Sequence, residues 1–202
     1  MFTARCSHSL AVLGAALVVA GCGDHSGAAY ERHHFHASDG VPLDGRLFGK
    51  GDEGVVLVHM GRPGDTQADW AGLARVLAGK GYLVLTYNRR GICPRRGAGC
   101  SKGFDSYEES WRDVVGAVRF LRERGARKTV VVGASIGAMS SLYAASEGKI
   151  RPAALIEFAG INNASGYSFD RPQIHRISGL KVFLSARQDV YGGGEAAREW
   201  FR

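Results

Sequence analysis

Short apolar runs alternate along this chain with stretches whose apolar residues recur every three or four positions, and that alternation predicts most of its elements. Val55-Val56-Leu57-Val58 is uninterrupted, as expected of a strand buried on both faces. Tyr82 to Tyr87, Thr129 to Val132, Ala153 to Ala159 and Lys181 to Ser185 read as further strands. Ahead of them, His33 to Ser38 and Val41 to Phe48 make a hairpin turned at Asp39-Gly40, where glycine accepts a positive φ. Helical spacing fills the gaps. Thr66 caps a helix that carries Trp70, Leu73, Ala74 and Leu77 and stops at Gly79 and Gly81. Ser106 and Glu109 form a capping box before a second, with Tyr107, Trp111, Val114, Val118 and Leu121 on one face, ending at Gly125. A third helix follows Ser135 and runs to about Glu147, and Glu195 to Phe201 begins a last one.

Strands separated by helices imply an α/β domain, a mostly parallel sheet with helices on both faces. Right-handed crossovers then gather the strand ends along one carboxyl edge of the sheet. The segment Gly160 to Gly179 is predicted as a long polar loop that caps this edge. No internal repeat is present.

Chemistry enters at Gly133-Ala134-Ser135-Ile136-Gly137, a G-x-S-x-G pentapeptide between the run Thr129 to Val132 and a helix. A serine on so sharp a turn projects its hydroxyl outward only if glycines on either side let neighbouring backbone pack closely. The helix behind it aims N–H groups at the same spot, and the N–H of Ile136 is a candidate oxyanion donor. The pattern points to a serine nucleophile. Its bland counterpart is an ordinary glycine-rich strand-to-helix turn with a buried serine.

Together with Val58-His59-Met60-Gly61, Tyr87-Asn88-Arg89-Arg90-Gly91 and Ser185-Ala186-Arg187-Gln188-Asp189, this pentapeptide resembles the α/β-hydrolase superfamily, in particular its secreted esterase, lipase and serine-aminopeptidase-like branches. The resemblance runs from the first hairpin to Arg202. It implies an oxyanion-hole N–H after the third strand, from Met60 or Gly61, and a triad acid at Asp189, with Glu157 a weaker alternative. It also implies a histidine after the acid, and none follows Asp189. Of the histidines present, only His175, in the expected cap, is considered as a substitute. Two explanations stand: the chain is truncated relative to an active parent, or it is a non-catalytic binding lipoprotein that keeps the scaffold. The first is favoured, because loss of a last strand exposes a sheet edge, and poor stability is expected of the chain as written.

The first residues read as an address. Arg5 precedes the apolar run Leu10 to Ala20, too short to span a bilayer, and Val19-Ala20-Gly21-Cys22 resembles the lipobox of bacterial lipoproteins, in which the cysteine is acylated. Residues 1–21 are therefore expected to be a signal peptide, 22–30 a linker and 31–202 the hydrolase-like domain, with Cys22 anchoring the protein to the cell envelope outside the cytoplasm. Of four cysteines, Cys93 and Cys100 then remain and are expected to pair as a disulfide. Net charge is +7, much of it at Arg89, Arg90, Arg95, Arg96 and Lys102. Solubility, anionic head groups or an acidic substrate explain it more simply than nucleic acid, for which no aromatic-interleaved motif is present. The expected function is hydrolysis of an ester or amide of a small-molecule or acyl substrate through an acyl-enzyme. Neither metal nor cofactor is implied, no nucleic acid is expected as partner, and the sequence does not set the oligomeric state.

Overall fold

A computed structural model describes residues 30–94 and 99–201. The expected leader, the lipobox with Cys22, and Arg95 and Arg96 lie outside the described residues. Nine strands and five α-helices follow in order among the described residues: β1 (Tyr30–His36), β2 (Pro42–Phe48), β3 (Glu53–Val58), α1 (Ala71–Gly79), β4 (Leu83–Tyr87), α2 (Trp111–Glu123), β5 (Lys128–Ala134), α3 (Ile136–Ser146), β6 (Ala154–Phe158), β7 (Asn163–Ala164), β8 (Tyr167–Ser168), α4 (Arg171–Arg176), β9 (Leu180–Leu184) and α5 (Gly193–Phe201). A 3-10 turn, Gln67–Trp70, leads into α1.

Seven strands form one sheet in the order β1-β2-β4-β3-β5-β6-β9. The pairs β1–β2 and β2–β4 are antiparallel and the rest parallel, so the sheet is mostly parallel, as the sequence predicts. Alternation along β3 shows how both faces are filled: Val56 and Val58 join the core beneath α2 and α3, while Val55 and Leu57 join Phe48, Ala74, Val84 and Val132 beneath α1. Because both faces are covered, β4 reads Leu-Val-Leu-Thr-Tyr and is buried throughout.

Caps behave unequally. Thr66 accepts from the Ala68 N–H while Asp69 reaches back to the Thr66 N–H, so this box forms, on the 3-10 turn. Ser106 accepts from the Glu109 N–H at 3.3 Å, but the Glu109 carboxylate pairs with Arg112 instead of closing the box, and α2 starts only at Trp111. The segment from Gly160 to Gly179 is not the polar loop expected. It folds into the β7–β8 hairpin and α4, and Tyr167, Phe169, Ile174 and Ile177 are buried in the main core. These four apolar residues are spaced irregularly through polar sequence, so neither helical nor strand periodicity displays them. A second box, between Asp170 and Gln173, starts α4.

Candidate active site

Ser135 sits between β5 and α3 with φ 51° and ψ −117°, a left-handed conformation uncommon for a residue with a side chain. Its neighbours on both sides are buried, and it alone of that stretch is exposed. The glycines act through space, not through φ. A Cβ on Gly133 would lie 2.5 Å from the Gly137 carbonyl oxygen, and one on Gly137 would lie 2.5 Å from that of Val58 and 2.7 Å from that of His59. The turn therefore closes only with glycine at both positions. Ser135 donates its N–H to the Phe158 carbonyl at 2.8 Å and accepts from the Met139 N–H at 3.0 Å, which fixes the elbow to β6 and to α3. Its hydroxyl opens on a cavity of about 490 Å³ lined by Met60, Gly61, Arg62, Pro63, Tyr107, Ile136, Met139, Ala159, Ile161, Ala164, Ser165, Asp189 and Tyr191.

Two backbone segments face this cavity. Ile136 opens α3, so its N–H is one of those a helix leaves without an internal carbonyl. Met60 and Gly61 follow β3, and neither of their N–H groups meets a backbone carbonyl among the described residues. Gly61 has φ 83°, and its carbonyl accepts from the Tyr107 phenol at 2.7 Å. The Arg62 N–H donates to Asp65 at 2.9 Å, so the peptide between Gly61 and Arg62 is held at both ends. His59, one residue earlier, is buried and accepts at Nε2 from the Arg89 N–H at 3.2 Å, which leaves the ring proton on Nδ1. Burial, reinforced by the nearby Arg89 charge, pushes its pKa down to about 4, so the ring is neutral at pH 7 and pins the β3 loop to the β4 loop.

Asp189 lies in the loop between β9 and α5, on the rim of the same cavity. Its Oδ1 accepts from the Tyr191 N–H at 3.0 Å and its Oδ2 from the Ser185 hydroxyl at 2.9 Å. Those two bonds, the backbone one first, hold the carboxyl below its ordinary range and therefore ionised. A Cβ on Gly193 would strike Oδ2, so glycine there makes room for the carboxylate. Thus the structure gathers Ser135, Met60, Ile136 and Asp189, all singled out in the sequence, around one cavity at the carboxyl edge of the sheet.

The sequence model for the alpha/beta hydrolase fold matches residues 54–177, from the start of β3 to the end of α4. The chain belongs to the alpha/beta hydrolase fold family. Similar solved structures include the Pyrococcus furiosus esterase Pf2001, at 20% identity and a TM-score of 0.54 over 65% of this chain and 52% of that one. Epoxide hydrolase A from Mycobacterium thermoresistibile matches at 24% identity and 0.53 over 64% and 39%, and a mutant epoxide hydrolase of Vigna radiata at 17% and 0.52 over 64% and 38%. The chain thus matches between about two fifths and half of the length of these proteins. No curated protein matches it.

Other expectations for this hydrolase-fold chain change with the structure. His175 does not line the cavity: it lies on α4 with Nε2 3.2 Å from the Trp200 carbonyl oxygen. Glu157 does not either. It is buried within β6, both carboxylate oxygens lack a partner among the described residues, and burial raises its pKa well above the usual range, so it neither reaches the cavity nor holds a partner to orient. The expected basic patch loses two of its members, while Lys102 is exposed and Arg95 and Arg96 lie outside the described residues. Arg89 and Arg90 are 3% and 5% exposed. Arg90 forks between Asp113 and Asp39, and Arg89 pairs with Asp105 while its guanidinium lies 4.5 Å over the Tyr107 ring. Their partners are 16 to 51 residues away, which is why two adjacent arginines read from sequence as surface charge. Cys93 and Cys100 form the expected disulfide in this loop. Tyr107 and Ser185 were not singled out as site residues. Ser185 stands four residues before Asp189, a weak signal; for Tyr107 the helical period points to core packing.

Proposed function

We propose that this chain carries the nucleophile, oxyanion donors and acid of a serine hydrolase that cleaves an ester or amide of an uncharged, apolar acyl group through an acyl-enzyme. The observation that carries the reading is Ser135, held in a strained turn by two sterically required glycines with its hydroxyl opening on a cavity shared with Asp189. Ser135 Oγ attacks the carbonyl carbon, its proton passes to a base, and the carbonyl electron pair moves onto oxygen, where the N–H groups of Met60 and Ile136 receive it. Collapse expels the alcohol or amine, which takes up the proton, and water then releases the acid. Asp189 is placed to orient an imidazole, and none of the described histidines lines the cavity to supply one. The walls favour an uncharged acyl group, since Met60, Ile136, Met139, Ile161 and Ala164 are apolar and the rim cation Arg62 is paired with Asp65.

The test is covalent labelling of the full chain by a fluorophosphonate, with free imidazole added as a diffusible base and Ser135→Ala as control. A phosphonate adduct mapped to Ser135, accelerated by imidazole, is expected. An unlabelled Ser135, with or without imidazole, overturns the reading and favours a binding protein without turnover. At the other end of the chain, we propose that Cys22 carries a lipid that anchors the protein to the cell envelope. Metabolic labelling with a palmitate analogue, lost in Cys22→Ser, is the expected result.

A further inference from the structure

We propose that Tyr107 is a positioning residue, which sets the geometry of the oxyanion hole by clamping the Gly61 carbonyl. The inference rests on the serine hydrolase reading above. Tyr107 lies in the loop before α2, remote in sequence from β3 and from Ser135, and yet its phenol reaches the cavity wall. Its O–H donates to the Gly61 carbonyl at 2.7 Å. The ring also meets Gly61 from the side: a Cβ at Gly61 would lie 3.3 Å from Tyr107 Cε1 and 2.9 Å from Ile136 Cγ2. Gly61 is thus wedged between the phenol and the first residue of α3.

A glycine with φ 83° has no side chain to hold it, and without a clamp its peptide would rotate readily. With the Gly61 carbonyl bound to Tyr107 and the Arg62 N–H bound to Asp65, that peptide plane is fixed, which restricts the swing of the Met60–Gly61 peptide before it and so of the loop carrying the Met60 and Gly61 N–H groups. The phenol is itself held. The Arg89 guanidinium covers its ring, and the Tyr107 carbonyl accepts from the Tyr167 phenol and the Ser110 hydroxyl, both at 2.6 Å. Tyr167 begins β8, and Ala164 and Ser165 of the same hairpin line the cavity. One residue therefore joins the cap hairpin, the oxyanion loop and the start of α2.

Tyr107→Phe removes only the hydroxyl and keeps the ring under Arg89. A 4-fluorophenylboronic acid, which forms a tetrahedral adduct on a serine Oγ with an oxygen in the oxyanion hole, is compared by 19F NMR with 4-fluorobenzamide, a planar ground-state mimic. The amide resonance of Gly61 is followed in parallel. Loss of a donor outright costs about 100- to 1,000-fold and misdirection less, so the boronate is expected to weaken by roughly 10- to 100-fold in the variant. Benzamide should stay within about twofold, and the Gly61 resonance should shift or broaden. Equal weakening of both ligands would make Tyr107 a mere pocket wall and overturn the proposal, as would unchanged boronate affinity. If Ser135→Ala binds the boronate as the wild type does, the hydrolase reading fails. In that case an unmoved Gly61 resonance in Tyr107→Phe overturns the clamp separately, and a shifted one retains it.

Discussion

The neutral, buried His59 makes stability depend on pH in a way that one substitution isolates. In the fold its pKa falls to about 4 because burial penalises the imidazolium and Arg89 repels it, whereas an unfolded imidazole titrates near 6.5. The unfolded chain therefore takes up this proton first as the pH drops. Stability from His59 is complete above about pH 6.5 and is lost progressively as the pH falls through about 4. At about 1.36 kcal/mol for each pH unit, the gap is worth roughly 3 kcal/mol, a large share of a typical domain's 5–15 kcal/mol. Asp113 works in the opposite sense over an overlapping range. Burial pushes its carboxyl up to about 6 against the pull of Arg90, so its protonation favours the fold as the pH falls. The wild-type profile alone is thus a compromise between the two. His59→Gln keeps an acceptor for the Arg89 N–H and does not titrate. Urea unfolding followed by tryptophan fluorescence at pH 7, 6, 5 and 4 should show the wild type losing about 3 kcal/mol relative to the variant across the series, with the Asp113 contribution cancelling in the difference. Parallel profiles for the two proteins would refute the assignment of a buried, neutral imidazole.

Two further outcomes follow from the same accounting of buried groups and cross-links. Burial pushes the Glu157 carboxyl up, so its cost to the fold grows once the pH exceeds the ordinary carboxylate range, and Glu157→Met should stabilise the protein more at high pH than at low. Thermal unfolding at pH 5 and pH 8 checks this, and an equal gain at both would count against it. Reduction of Cys93–Cys100 should raise the free-thiol count by two and cost about 2.5 kcal/mol for so short a loop in urea unfolding; an unchanged thiol count would remove the bridge.

What the sequence displays is local. The run Val55 to Val58 and the Asp39-Gly40 turn carry their structure in adjacent residues, and Ser135 announces itself because its glycines, strand and helix are contiguous. Asp189 is legible through a family resemblance, while its orienting bonds from Ser185 and the Tyr191 N–H emerge only in three dimensions. Arg89 and Arg90 show where reading along the chain fails. Nothing near them in sequence identifies Asp39, Asp105 and Asp113 as their partners, and without partners two arginines in a glycine-rich loop look like solvated charge. Tyr107 fails for a related reason. Its spacing marks it as one more apolar position of a helix face, yet it precedes that helix, and the hydroxyl that distinguishes it from phenylalanine finds its acceptor 46 residues away.

The cavity walls also equip the protein for observation. Of its three methionines, two, Met60 and Met139, line the cavity beside Ser135, and the third is Met1. Methyl-13C methionine labelling would therefore place two spectroscopic beacons on the cavity wall without altering a residue. Conversion of the partly exposed Met60 thioether to a sulfoxide would set a polar, chiral group into an apolar wall, visible as a doubled methyl signal, whereas Met139, 1% exposed, is shielded.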